Sequence, residues 1–154
     1  MNHTLTEENI AKLREELEYR MTVKRAEIAK DKLVAAAHGD RSENAEYKEA
    51  CERFTANDNR IQHLLTMIST ATIVDSKNID KSIIGINSKA RVRFIEDEDE
   101  VVVTLVTTMD IDPVNMRISI ESDLGKALLG KKVGNIVEVK AQSGKYTVEI
   151  LEMV

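Results

Sequence analysis

From Thr6 to Ala37 the chain carries neither proline nor glycine, and Gly39 is the first breaker after it. A stretch of that length without a breaker restricts the fold to one that contains a long helix. Thr6 followed by Glu7 and Glu8 supplies a start signal, a capping hydroxyl with acids at the positive end of the helix dipole. Ile10, Leu13, Leu17, Met21, Lys24, Ile28, Asp31 and Ala35 follow three- and four-residue steps, an amphipathic stripe with two polar interruptions. A second segment is more regular. Tyr47, Ala50, Phe54, Asn57, Ile61, Leu64 and Ile68 alternate such steps, a heptad seam on which Asn57 is suited to fixing register. Two helices of this kind joined by a few residues are antiparallel neighbours. Gly39 is placed to end the first in a left-handed conformation, and Asp40 or Ser42 to cap the second. With roughly 30 residues per helix at about 1.5 Å rise, the hairpin is on the order of 45 Å long. Its far tip is "HGDRSENAEY", residues 38–47.

After Ala71 the texture changes to β-branched alternation. Residues 88–95, 100–107, 116–120, 135–140 and 146–153 read as strands. "EDEDE" and "QSGK" fall where hairpin turns belong, and "DLGKALLGKK" reads as a short helix with Gly130 placed to end it. The expected architecture is α+β. An antiparallel coiled-coil hairpin occupies residues 1–75, with an acidic tip near 38–47, and a small antiparallel sheet with one short helix occupies 76–154.

Charged residues make up 32% of the chain and aromatics 3%, a balance that suits long solvated helices better than one thick core. Residues 1–75 carry 11 Lys/Arg against 14 Asp/Glu, and residues 76–154 carry 11 against 13. Neither half has the basic excess of a phosphate-driven nucleic-acid binder, so a nucleic-acid role has to pass through a protein partner. The single Cys51 excludes an intrachain disulfide and a multi-cysteine zinc site. His3, His38 and His63 are too scattered for a helical metal pair. The first ten residues lack the basic and apolar regions of a signal peptide, and no apolar run approaches a membrane span. A soluble, cytoplasmic protein is expected.

The tip admits two readings. Asp40-x-x-Glu43 has the spacing of a capping box for the second helix. The same spacing lets both carboxylates give an oxygen to one divalent cation. Magnesium commonly takes one or two protein carboxylates and leaves its other positions to water or a partner's groups. His38 beside the tip fits either a proton shuttle or a helix-end histidine on the dipole. Lys24 and Arg25 are either ordinary coil charges or contacts to a partner. The run Glu96–Glu100 lacks the spaced ligands and glycine of a calcium loop and reads as a solvated turn. Cys51 reads as a passive helical cysteine.

A long hairpin, then "HGDRSENAEY", then a β domain with "SDLGKALLGKKVGNIVEV" resembles the GreA/GreB family of transcript cleavage factors over essentially the whole chain. "REELEYRMTVKRAEI", "LGKALLGKKVG" and "YTVEILEM" also look like its signatures. The resemblance implies an FKBP-like second domain and an arm that enters the secondary channel of bacterial RNA polymerase. The tip acids, Asp40 and Glu43 here, would support a magnesium ion at the polymerase active site, bound only in that complex. The polymerase would then cut backtracked RNA at its 3′ end. Asn44 and Tyr47 would support the tip. Arg41, Lys48 and Arg53 would face RNA or polymerase, and Ser122, Asp123 and Leu124 would lie in the docking loop. The chain departs from the family pattern at Ala26 and Asp123, where proline is common, and at Ala36 and Cys51, where arginine is expected.

On this reading the chain is not itself an enzyme, binds no cofactor alone, meets no membrane and is a monomer. Two other functions share the architecture: a channel-binding regulator that inhibits polymerase without cleavage, and a coiled-coil adaptor or chaperone whose tip acids only cap.

Overall fold

The computed structural model describes residues 3–39, 44–75 and 80–154. The chain divides into two compact units, residues 1–3 with 8–72 and residues 4–7 with 73–154. In the first unit, helix α1 (Glu7–Tyr19) continues through a π-turn (Arg20–Lys24) into α2 (Arg25–Ala36), and α3 (Ala45–Thr70) returns beside it. Ion pairs run in opposite order along the two rods: Glu16 with Arg60, Arg25 with Asp58, and Asp31 with Arg53. That order is the antiparallel arrangement expected of the hairpin.

The α3 seam is laid out as its spacing requires. Ala50, Asn57, Ile61 and Leu64 are buried, and Tyr47, Phe54 and Ile68 are half-buried. The first helix departs from its stripe. Met21 is 43% exposed and Asp31 is also exposed, whereas Ile10, Leu13, Ile28 and Ala35 are buried. At Met21 the cause is the π-turn, whose wider ring brings Arg20 to α3 instead.

The second unit holds the mixed sheet β5-β4-β3-β7-β6, built from β3 (Lys89–Phe94), β4 (Asp99–Val106), β5 (Arg117–Ser119), β6 (Ile136–Ala141) and β7 (Gly144–Met153). Alternation buries one residue in two: Ala90 and Val92, Val103 and Leu105, Val137 and Val139, Val148 and Ile150. Leu128 of the short helix α4 (Asp123–Leu128) joins this core.

Two features correct the expected all-antiparallel sheet. The β4–β5 pair runs parallel, with Leu105 opposite Ile118. Residues between them fold into 3₁₀ turns at Thr108–Asp110 and Pro113–Asn115, and Met116 takes φ +54°. The chain thereby returns to start β5 in the same direction as β4, without the helical crossover usual for parallel neighbours. A two-stranded pair, β1 (Thr4–Thr6) with β2 (Thr72–Val74), was also not anticipated.

Candidate functional site at the hairpin tip

Helix α2 ends at the C-cap Ala37, and His38 donates its backbone N–H to the Ala35 carbonyl at 3.1 Å. Gly39 follows at φ +155°, well away from the left-handed helical well near +57° that a standard glycine C-cap occupies. Asp40, Arg41, Ser42 and Glu43 lie outside the described residues.

At Asn44 the α3 cap differs from the one expected. The N-cap of α3 is Asn44, whose Oδ1 accepts from the Tyr47 N–H at 3.1 Å. The sequence pattern assigns that position to Asp40 or Ser42, both outside the described residues. The Asn44 amide serves both helices at once: Nδ2 also donates to the Ala35 carbonyl at the end of α2, which accepts the His38 N–H as well. One side chain therefore joins the end of α2 to the start of α3. We expect Asn44→Ala to lower the stability of the first unit by roughly 1–2 kcal/mol, since it removes a cap and a cross-link. Asn44→Asp, which keeps the acceptor and loses the donor, should fall between, as read by denaturant unfolding of the full chain.

Around this staple, His38 Nδ1 lies 3.1 Å from Glu46 Oε2 at an exposed position. Tyr47 and Phe54 line a groove of about 400 Å³ with Ala29, Lys32, Leu33 and Ala36, and the Lys32 ammonium sits 4.6 Å above the Phe54 ring. Of the basic residues singled out from sequence, Arg53 donates to Asp31 at 3.1 Å and lies 3.6 Å from Glu49. Its charge is therefore largely answered within the arm. Lys48 is exposed on the outer side of α3 and makes no ion pair with a described residue. Cys51 is a half-buried free thiol on the same helix.

In the second unit, Ser122 is the N-cap of α4. Its Oγ accepts from Gly125 N–H at 3.0 Å and donates to the Ser119 carbonyl at 2.6 Å. Leu124 packs against the sheet core. Ser122 and Leu124 therefore shape the loop, and Asp123 is the exposed one of the three.

Sequence reading gave no sign of the ionic frame in mid-arm. Arg60 grips Glu16 through two hydrogen bonds of 2.8 and 2.9 Å, and Arg20 adds a third at 2.7 Å. The Arg60 hydrogen bonds, helped by Arg20, bring the Glu16 carboxyl down to about 2 against its burial. Glu16 and Arg60 lie 44 residues apart, so only the pairing of the helices brings them together. Because the folded value lies below the unfolded one, this contribution is complete above about pH 4.5 and is lost as pH falls towards 2. Glu16→Gln should therefore lose less melting temperature between pH 5 and 2.5 than the parent does, as read by circular dichroism.

Among the described residues, no group of three or more Asp, Glu, His or Cys side chains is placed to hold a metal ion. No described helix is long and apolar enough to cross a membrane.

Residues 3–73 match the family model for the N-terminal domain of GreA/GreB transcription elongation factors, and residues 79–153 match the model for their C-terminal domain. The chain is 42% identical over 149 residues to transcription elongation factor GreA of Clostridium beijerinckii, covering 97% of this chain and 93% of that one. It is 42% identical over 151 residues to GreA of Clostridium botulinum, covering 98% and 94%. Over 149 residues it is 40% identical to GreA of Clostridium perfringens, covering 97% and 94%.

Proposed function

This chain belongs to the GreA/GreB family of transcription elongation factors, and from that premise we propose that it rescues backtracked bacterial RNA polymerase by lending Asp40 and Glu43 to the polymerase's own RNA cleavage. The observation that carries this reading is the N-cap of α3. Asn44 performs the capping, so the structural task that accounted for both acids without any chemistry is already filled. Two carboxylates three residues apart remain, in a short segment between two helix ends.

That donor set fits magnesium in part. Two carboxylates supply a fraction of an octahedral shell, and the rest must come from polymerase carboxylates, RNA phosphate oxygens and water. Bound in such a shared site, magnesium supplies charge neutralisation at the phosphate under attack and a more acidic water. Asp40 and Glu43 contribute oxygens and hold a water by hydrogen bonding. Asn44 ties the segment that carries them to both helices, and Tyr47 supports it through the N–H that Asn44 caps. Arg41 and Lys48 would meet RNA or the channel wall, with Arg53 a weaker candidate because of its ion pairs. Asp123 is the exposed contact of the docking loop.

The chain has no closed catalytic site of its own on this reading. It acts as a monomer in the cytoplasm with the polymerase as partner, and the nascent RNA is reached only through that partner. The test is a purified, backtracked elongation complex carrying labelled RNA. Added chain should release short 3′ fragments in a magnesium-dependent way and should release none from RNA alone. Binding without release would transfer the assignment to an inhibitor of the channel, and release from free RNA would overturn the shared-site reading.

A further inference from the structure

We propose that Asn57 is a positioning residue. Its carboxamide pins the π-turn in the middle of the arm and so sets which residues of the first helix face α3 from there to the tip. A turn closed by a bond from residue i+5 to residue i holds one residue more than an α-turn. Each α-helical residue advances the helix by about 100°. If the turn reverted to α, the extra residue would be lost and the helix beyond it would rotate by about that amount relative to its root. Ile28 and Ala35, both buried against α3, would leave the seam. The Ala35 carbonyl would also swing away from Asn44, its partner at the tip.

A π-turn is a poor structure in isolation, and something must hold this one in place. Arg25 N–H reaches back to the Arg20 carbonyl across the widened ring. That same carbonyl accepts Asn57 Nδ2 at 3.1 Å, and Asn57 Oδ1 accepts Arg20 Nη1 at 3.1 Å. Asn57 is only 3% exposed, and both ends of its amide are committed to Arg20. Moving the turn would strip a buried amide of its partners, which is the costly way to lose a hydrogen bond.

Adjacent groups hold the ends of the turn. Asp58, next to Asn57 on α3, holds Arg25 at 3.1 Å, and Glu16 holds Arg20 Nε at 2.7 Å. Thr22 Oγ1, within the turn, donates to the Glu18 carbonyl at 2.7 Å, just before the turn begins. Two consecutive residues of α3 thus meet the two ends of the turn, and the carbonyl that Asn57 engages is the one that closes the widened ring.

The consequence for the tip rests on the cleavage function proposed above, whereas the pin itself does not. The experiment therefore has two readouts on the full chain, amide hydrogen exchange and cleavage kinetics. Asn57→Leu fills the seam with an apolar group, and Asn57→Asp keeps the acceptor for Arg20 Nη1 but loses the donor to the carbonyl. Both should keep their helix content while exchange at Arg25 and in the following turn rises tenfold or more. Arg20→Met, which leaves the backbone carbonyl in place, should change that exchange less than threefold.

In cleavage, Asn57→Leu should lower the maximal rate tenfold or more while the half-saturating concentration stays within twofold. A seam residue that only added stability would not divide the two constants in this way. The proposal is overturned if both Asn57 variants keep exchange within threefold of the parent, or if Arg20→Met loosens the turn as much as they do. Absence of cleavage by the parent would count against the cleavage function and leave exchange to decide the pin.

Discussion

Gly125→Ala is expected to destabilise the second unit by about 3 kcal/mol or more, at or beyond the upper end of overpacking costs. For a unit of this size that corresponds to a fall in melting temperature of roughly 12–24 °C. Gly125 is not a turn glycine. It sits in α4, and a Cβ there would overlap the Ser119 carbonyl oxygen and lie 2.9 Å from both the Ser119 carbonyl carbon and Ser122 Oγ. Neither neighbour is free to retreat. The Ser119 carbonyl accepts the Ser122 N–H at 3.1 Å and its hydroxyl at 2.6 Å, and Ser119 Oγ accepts the Glu121 N–H at 3.0 Å. Relieving the overlap means pulling α4 off the sheet together with Leu128, which is fully buried.

Gly130→Ala is the matched control. Its φ of +80° makes alanine unfavourable, but nothing lies within 4 Å of the added carbon, so a loss of about 1–2 kcal/mol is expected. Guanidinium unfolding of the two variants separates a steric knot from a backbone preference. A loss at Gly125 no larger than that at Gly130 would show that α4 can shift freely. The same hydrogen bonds shape Ser122 to Leu124, the loop proposed to dock on polymerase.

The parts of this fold visible in the sequence are those fixed by local pattern. The α3 seam from Tyr47 to Ile68 is legible because each position repeats the same demand, an apolar or small side chain every three to four residues. The strands are legible for the same reason at period two. What the pattern misses depends on partners far along the chain. The π-turn has no local signature, since Arg20–Lys24 would make an ordinary helix. It is stabilised by Asn57, 37 residues on. The parallel β4–β5 pair depends on how residues 107–116 fold back, and short strands such as β5 carry too few residues to show direction.

At the tip, local spacing points to a different cap from the one α3 has. Asp40-x-x-Glu43 satisfies the capping-box rule, yet Asn44 takes the position, reaching both Tyr47 N–H and the Ala35 carbonyl. The second of these contacts comes from the hairpin, not from the helix being capped. With Asn44 as the cap, capping does not account for the two acids.

Replacing Asp40 by Asn or Glu43 by Gln is therefore expected to lower factor-stimulated RNA cleavage by about a hundredfold each, or about 2.7 kcal/mol of barrier. Binding to the backtracked complex should stay within twofold. Both substitutions are nearly isosteric and remove charge, so they weaken donation to magnesium and to its water while disturbing packing little. The two acids act on one site, so their losses should not add. The double variant should be only slightly worse than either single one, and the polymerase's own cleavage rate sets the floor.

Raising magnesium should recover part of the lost rate, because the deficit lies in holding the ion. Glu46→Gln removes an exposed tip carboxylate that faces His38 instead, and it should change the rate less than threefold. If all three variants behave alike, the tip acts through its net negative charge rather than through two placed carboxylates. If none of them alters cleavage, the acids take no part in the chemistry and the shared-site reading fails.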